Sequence, residues 1–167
     1  MTRPATCPRS CWRWTPRSSP AGLAASARSR PRTSFADYLT TALGANEILT
    51  GIRVPKLGGD WGYRYEKFHR TAQSWATVGV AALARRSNGE VAEARIGLTN
   101  MGPVPIRATA VETAAAGAQA SAEALQAAAA SAGEGTQPPA DLHGAPDYRR
   151  HLARVLTGRA LAAAAGA

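Results

Sequence analysis

The sequence is poor in cysteine, and its two cysteines, Cys7 and Cys11, both lie within the first eleven residues. The rest of the chain therefore has no disulfide framework and no thiolate metal site. A zinc site at this pair is disfavoured, because two thiolates with no nearby histidine or second cysteine pair fill only half of a tetrahedral coordination sphere. We expect no metal-binding residues.

Long apolar runs are also absent from the sequence. No stretch approaches the roughly 18 apolar residues that a membrane-spanning helix requires. The basic start of the chain lacks the apolar segment of a secretory signal. We therefore expect a cytoplasmic protein without a membrane span. A length of 167 residues, of which 45% are hydrophobic, is compatible with one domain around a modest core.

Acidic residues are absent from residues 1–34, although this segment contains seven arginines. The rest of the chain holds 13 basic and 11 acidic side chains, so the net charge of +9 belongs mostly to the first segment. Such a segment could neutralise phosphates, and Trp12 and Trp14 could stack on bases. Because no folded platform presents these side chains, we expect no nucleic-acid partner.

Residues 1–34 also lack helical or strand periodicity, and their composition is typical of GC-rich coding sequence translated in the wrong frame. With one choice of codons that end in G or C for residues 6–17, and with a G placed before them, the adjacent frame reads DLPAVLLALDAE. This reading is typical of a buried strand followed by a turn. We therefore interpret residues 1–34 as a frameshifted remnant, with the native frame resuming near Phe35. The alternative is a genuine, disordered basic tail.

From Phe35 to the end, the sequence has the pattern of an α+β domain, with about three antiparallel strands packed with C-terminal helices. Phe35–Leu43 has aromatic and leucine positions at helical spacing and predicts a short helix. Ser87-Asn88-Gly89 predicts a tight hairpin turn, because Asn and Gly tolerate positive φ. Alternating or β-branched runs predict strands at 47–54, 62–68, 76–85 and 91–99, and helices are predicted at 108–116, 121–132 and 146–165.

Three further expectations concern packing. The strand at 76–85 is apolar and largely small, so we expect both of its faces to be covered. Gly97 within a strand indicates a close backbone approach or a bulge. The spacing in the last helix predicts one apolar face and one solvated face. The apolar face is Tyr148, Leu152, Val155 and Leu156, and the solvated face is mostly Arg149, Arg150, Arg154 and Arg159.

The sequence contains no recognisable catalytic constellation. Its histidines, His69, His143 and His151, are scattered, and no Ser/His/Asp set or carboxylate pair stands at a diagnostic spacing. Gly58-Gly59 and the Gly-Glu-Gly at 133–135 lack the strand-to-helix setting of a phosphate-binding loop. We therefore predict no catalytic residue in this chain.

One block has a specific pattern. Residues 61–105 read WGYRYEKFHRTAQSWATVGVAALARRSNGEVAEARIGLTNMGPVP, an aromatic-rich polar segment, two apolar β-type runs and a Gly-Leu-Thr-Asn-Met-Gly-Pro turn. This block resembles the C-terminal domain of the FAD-binding (medium) subunit of molybdenum hydroxylases, the aerobic carbon monoxide dehydrogenase and xanthine dehydrogenase family. The resemblance runs from about Phe35 to the C-terminus.

The resemblance implies an oxidoreductase component, a flavoprotein that relays electrons through FAD from an iron–sulfur small subunit to an external acceptor. Substrate oxidation would occur in a molybdopterin large subunit. In this family the glycine-rich segments that hold the FAD pyrophosphate lie in an N-terminal domain, which this chain lacks. The intact subunit would therefore hold FAD, and this chain alone is not expected to be active.

The residues that match Lys67 and Trp75 lie near the flavin ring in related proteins, so we expect cofactor contacts there. An ammonium would stabilise the negative charge of reduced flavin, and an indole can stack on the ring. Relatives often carry an acid where this chain has Ser74. The alternative for the two residues is that Lys67 is a solvated lysine and Trp75 a core tryptophan. The alternative for the chain is a stand-alone interaction module or an inactive fragment without redox function.

The frameshift interpretation predicts that one corrected base before codon 35 restores the DLPAVLLALDAE reading and joins it to an upstream glycine-rich FAD-binding domain. Resequencing the gene through this region and upstream of it checks the prediction. A confirmed frame, with nothing coding in frame before Met1, would contradict it and would favour the interaction module.

Overall fold

The structure, a computed structural model, describes residues 11–16 and 27–167, with side chains from residue 29 onward except those of residues 31 and 32. The predictions on Cys7 lie outside the described residues, as do those on the side chains of Cys11, Trp12 and Trp14. The chain divides into two compact units, Met1–Lys56 and Leu57–Ala167. Among the described residues, no helix is both long and apolar enough to cross a membrane.

The first unit is built from short strands and one helical turn. Its elements are β1 (Cys11–Pro16), β2 (Ala27–Ser29), α1 (Pro31–Ser34), β3 (Phe35–Asp37), β4 (Thr40–Thr41) and β5 (Glu47–Arg53). A three-stranded antiparallel sheet has the order β2-β1-β5, in which β5 corresponds to the strand predicted at 47–54. The helix predicted over Phe35–Leu43 is wrong. Two strands form there, joined by a turn in which Leu39 has a φ of 52° and the backbone N–H of Tyr38 donates to Asp37 Oδ1 at 2.7 Å.

The second unit contains a four-stranded antiparallel sheet with strands in sequence order. The strands are β6 (Trp61–Phe68), β7 (Val78–Ser87), β8 (Glu90–Thr99) and β9 (Ile106–Arg107). The expectation of about three strands was short by one, because β9 has two residues and follows Pro103 and Pro105, which obscure a strand pattern. The hairpin predicted at Ser87-Asn88-Gly89 is confirmed, with φ of 53° at Asn88 and 81° at Gly89.

The remaining helices follow the sheet, as predicted. They are α2 (Thr109–Ala115), α3 (Ala122–Ala128) and α4 (Pro146–Ala165). Ser121 caps α3 by accepting a hydrogen bond from the Ala124 backbone N–H at 3.3 Å, and the end of the predicted 121–132 helix is a 3₁₀ turn at Ala129–Gly133. The last helix has the predicted bounds and is capped by Gly166, whose φ of 67° is left-handed.

One face of the second unit's sheet is buried under these helices, with α4 packed on β6 and β7 and α2 on β8. Alternate residues of β7 and β8 face the helices, among them Val80, Ile96 and Leu98, which are fully or almost fully buried. The other face of β7 includes Ala81, which is exposed, and Leu83, which is half-buried. The expectation that both faces of this strand are covered was therefore wrong.

Small residues let α4 lie close to the sheet. A Cβ on Gly62 in β6 would lie 1.9 Å from the backbone oxygen of Ala164 in the last turn of α4. Gly97 has no such role, because a Cβ there would meet nothing within 4 Å. Gly97 also pairs in unbroken register with Ala81. The close approach or bulge predicted at Gly97 is therefore wrong, and the close approach occurs at Gly62.

A pair of glycine substitutions tests this packing. Gly62→Ala should destabilise the protein by about 3 kcal/mol or more, because helix backbone must move to admit the methyl group. Gly97→Ala is the matched control in the same sheet and should be neutral or stabilise by up to about 1 kcal/mol. Urea unfolding of both variants measures the difference. Equal stability of the two variants would contradict the close contact between α4 and β6.

Candidate functional site

The sheet face opposite the helices carries a row of exposed aromatic and basic side chains. Along β6, Tyr63, Tyr65 and Lys67 lie on this face, and the two tyrosines are 81% and 56% exposed. Their partners on β7 are Leu83, Ala81 and Gly79. Of these partners, Ala81 is exposed at the centre of the face. We call this surface the open face.

Gly79 allows the side chains at one end of the open face to lie close to the backbone. A Cβ on Gly79 would lie 2.9 Å from the hydroxyl oxygen of Tyr65 and 2.5 Å from Cγ2 of Thr99. Lys67 pairs with Gly79 in the register and is exposed. The end of the open face nearest Lys67 is thus a shallow surface with one ammonium group and one phenol.

A short loop, residues 69–77, connects β6 to β7 at this same end. The backbone N–H of Thr77 donates to the carbonyl oxygen of Phe68 at 2.8 Å, which closes the base of the loop. Within the loop, the Ser74 hydroxyl donates to the Thr71 carbonyl at 2.9 Å. Ser74 thus stabilises a turn within this loop. The indole of Trp75 is 79% exposed, so the alternative of a core tryptophan does not hold.

Two buried or half-buried polar side chains hold the end of this loop. Asn100 Nδ2 donates to the carbonyl oxygens of Ala76 at 2.9 Å and of Thr77 at 3.3 Å. Arg149 Nη1 donates to the same Thr77 oxygen. The side chain of Arg149 is 0% exposed, so the expectation that this arginine lies on a solvated face of the last helix was wrong. Helical spacing alone could not reveal its carbonyl and carboxylate partners.

The guanidinium of Arg149 is compensated by Asp141. Arg149 Nη2 lies 2.5 Å from Asp141 Oδ1, and Arg149 Nε donates to the Gly144 carbonyl at 3.4 Å. Hydrogen bonding by the backbone N–H of His143 to Asp141 Oδ1, at 2.8 Å, lowers the pKa of this carboxyl. Partial desolvation raises this pKa, and Arg149 lowers it further. A charge-assisted network therefore holds the start of α4 against the start of β7.

The rest of the predicted helix faces is partly confirmed. Leu152 and Leu156 are buried, and Arg154 and Arg159 are exposed as expected. Tyr148 does not belong to the buried face, since it is 44% exposed. Its ring packs edge-to-face against Phe68, with ring centroids 6.4 Å apart. This contact lies beside the base of the 69–77 loop.

A second polar cluster occupies the far end of the open face. The guanidinium carbons of Arg95 and Arg85 lie 4.8 and 5.9 Å from the centroid of the Trp61 ring. Glu93 pairs with both arginines, at 2.6 Å from Arg95 and 3.7 Å from Arg85. Glu93 partly neutralises the charge of the two arginines, and the Trp61 ring stabilises their guanidinium groups by cation–π contacts.

Of the two residues predicted to contact a cofactor, Lys67 thus lies on the open face near the end of β6, and Trp75 lies on the loop that follows β6. Sequence reasoning missed Asn100 and Arg149, which support the loop. The position of Asn100 directly after a strand, where the chain turns, was the sequence signal that could have indicated its supporting role. Among the described residues, no group of three or more His, Cys, Asp or Glu side chains could hold a metal ion.

Comparison with known proteins gives consistent matches. A family model described as the CO dehydrogenase flavoprotein C-terminal domain matches residues 63–164. The carbon monoxide dehydrogenase medium chain of Hydrogenophaga pseudoflava is 39% identical over 130 residues, which are 78% of this chain and 45% of that protein. The chain thus spans about half the length of the curated relatives it matches.

Two solved structures have a similar fold. Carbon monoxide dehydrogenase from Hydrogenophaga pseudoflava, in a form that lacks the Mo-pyranopterin moiety of its cofactor, matches with a TM-score of 0.80 and 36% identity. That match covers 93% of this chain and 52% of the other. Quinoline 2-oxidoreductase from Pseudomonas putida 86 matches with a TM-score of 0.81 and 25% identity, over 95% of this chain and 53% of the other.

The Asp141 network predicts a pH dependence of stability. Because the pKa of Asp141 is lowered in the folded state, its contribution is present above the ordinary value of 3.8 and is lost as the pH falls through the lower, folded value. Asp141→Asn should therefore lower the Tm near neutral pH, and the difference from wild type should shrink in strong acid. Thermal unfolding followed by circular dichroism across this range measures the effect.

Asp147→Asn is the matched control, because Asp147 is also paired with an arginine of α4 but its side chain is 96% exposed. Its Tm should stay close to that of wild type, since exposed ion pairs contribute little. A Tm difference for Asp141→Asn that does not change with pH would contradict the role assigned to its charge.

Proposed function

The chain belongs to the CO dehydrogenase flavoprotein C-terminal domain family, and from this membership we infer that it works as part of the FAD-binding subunit of a molybdenum hydroxylase. The family assignment agrees with the resemblance carried by the 61–105 block. The solved relatives adopt the same fold at 36% and 25% identity. The chain is therefore a component of a flavoprotein subunit.

We propose that the other half of such a subunit supplies the main FAD-binding domain. The medium chain of Hydrogenophaga pseudoflava is matched over only 45% of its length, and the glycine pairs of this chain lack the setting of a phosphate-binding loop. The domain formed by Leu57–Ala167 would then form one wall of the flavin site. Its open face and the 69–77 loop are the surfaces suited to that position.

The observation that carries this proposal is that Lys67, near the end of β6, and Trp75, on the loop that follows β6, are both exposed. An indole that is 79% exposed leaves apolar area in water, and covering it with a flat aromatic ligand would be favourable. The ammonium of Lys67 would lie near the edge of that ligand and favour an electron-rich form of it. Flavin fits both requirements, because it is planar and carries negative charge when reduced. When bound, it would accept and release electrons.

The electron relay is the role we propose for the intact assembly. An iron–sulfur small subunit would deliver electrons, an external acceptor would receive them, and a molybdopterin large subunit would oxidise the substrate. The substrate does not follow from this chain, because its structural relatives include both a carbon monoxide dehydrogenase and a quinoline oxidoreductase. The frameshift interpretation of residues 1–34 and the domain at 35–167 remain part of the proposal.

The second candidate is an interaction module without redox function. The aromatic side chains of the open face favour it, because exposed tyrosines such as Tyr63, at 81%, are common in protein–protein contacts. Flavin binding discriminates between the two. An interaction module should bind its partner equally well when Lys67 or Trp75 is replaced and should not retain FAD.

We predict that residues 57–167 can replace the corresponding domain in the medium chain of Hydrogenophaga pseudoflava and that the hybrid retains FAD. In this hybrid, Trp75→Leu should weaken FAD binding about threefold to tenfold, the range expected for one lost aromatic stacking contact. Trp75→Phe, which keeps a ring, should be milder. The ratio of FAD to protein and flavin fluorescence titrations measure the effect.

Replacement of the lysine in the same hybrid should change the flavin potential. Lys67→Met should lower the reduction potential, because the reduced flavin loses a nearby positive charge. The control is Lys56→Met at the other lysine of the chain, introduced in a hybrid that starts before residue 56. A reduction potential that Lys67→Met leaves unchanged would contradict the role of Lys67, and a hybrid without FAD would contradict the proposed function.

A further inference from the structure

The geometry around the 69–77 loop points to Asn100 and Arg149 as positioning residues for Trp75. We propose that these two side chains, by holding the backbone carbonyls of Ala76 and Thr77, fix the end of the loop on which the indole stands. Neither residue needs to touch a ligand for this role. The consequence for a flavin rests on the proposed function, whereas the positioning itself does not.

Exposure of Trp75 explains why such support is needed. Because the indole is 79% exposed, packing of the ring itself does little to hold it in one position. Its position therefore depends on the backbone at 74–77. The Ser74 turn and the Thr77–Phe68 hydrogen bond organise the loop internally, and the carbonyls of Ala76 and Thr77 point to groups outside it. These outside groups are Asn100 and Arg149.

Asn100 meets two requirements that few residues meet together. Its φ of 61° lies in the left-handed region, which among residues with a side chain Asn tolerates well. Its amide also supplies N–H donors for two carbonyls. A glycine would adopt this backbone conformation but has no side-chain N–H donor. An aspartate would place a carboxylate oxygen against the carbonyl oxygens of Ala76 and Thr77. These two requirements explain physically why an asparagine follows β8 directly.

Arg149 occupies a position that is unfavourable for helix stability alone. It lies in the first turn of α4, where the helix dipole disfavours a positive charge, and it is fully buried. Asp141 and the carbonyls of Thr77 and Gly144 compensate this cost. The buried guanidinium of Arg149 thus links α4 to the Thr77 carbonyl, to which Asn100 also donates. The Thr77 carbonyl is therefore fixed from two elements, α4 and the turn after β8.

The test labels the full chain with 5-fluorotryptophan and follows the Trp75 signal by fluorine NMR, assigned through Trp75→Phe. Asn100→Gly removes the amide and keeps the left-handed backbone accessible. The Trp75 signal should shift, and the Trp61 signal should stay in place. Asn88→Gly is the matched control, because Asn88 has a similar φ of 53° in the exposed hairpin turn, and it should leave both signals in place.

Two outcomes overturn the inference. One is a Trp75 signal that does not move in Asn100→Gly, and the other is a Trp61 signal that moves as much, which would make Asn100 a residue of general stability. Arg149→Lys tests the second support with its charge retained, and it too should move the Trp75 signal more than the Trp61 signal. Failure of the hybrid subunit to hold FAD would refute the proposed function and leave this readout unaffected.

Discussion

The close contact between α4 and the sheet is the constraint on which the rest of the second unit depends. Gly62 leaves the helix end within reach of the β6 backbone, and the alanines along α4 bring the two layers together over most of the helix length. Close packing of small side chains needs correct placement of both layers. On β7 and β8 one face of the sheet thus belongs to the core, and the other face carries exposed side chains such as Ala81.

This division of the two faces connects the fold to the proposed role. The core face positions the start of α4, where Arg149 reaches the end of the 69–77 loop. The open face carries Lys67, and the loop carries Trp75, at the same end. A change in the core packing would therefore reach the loop through Arg149, although neither Lys67 nor Trp75 belongs to the core. The flavin contact proposed for this end rests on these two residues together with the family membership.

Much of this architecture could be predicted from the sequence, because it depends on local patterns. The Asn88-Gly89 turn and the last helix follow from residue types at fixed spacing. The helix predicted at Phe35–Leu43 failed because a turn at Leu39 outweighs helical spacing in so short a segment. The buried state of Arg149 could not be predicted, because its partners Thr77 and Asp141 come from other parts of the chain. The open space around Gly97 could not be predicted either, because it depends on how the neighbouring strands and side chains pack.

Hydroxyl-radical footprinting can show whether the open face and the 69–77 loop lie on the flavin side of the subunit. The full chain is footprinted alone and mixed with the FAD-loaded N-terminal half of the Hydrogenophaga pseudoflava medium chain. We expect Tyr63, Tyr65 and Trp75 to react readily in the free chain and to become protected in the mixture. Leu142, which is also exposed but lies before α4, should react equally in both. Protection of Leu142 with continued reactivity of Tyr65 and Trp75 would contradict the assignment of the open face to the flavin side.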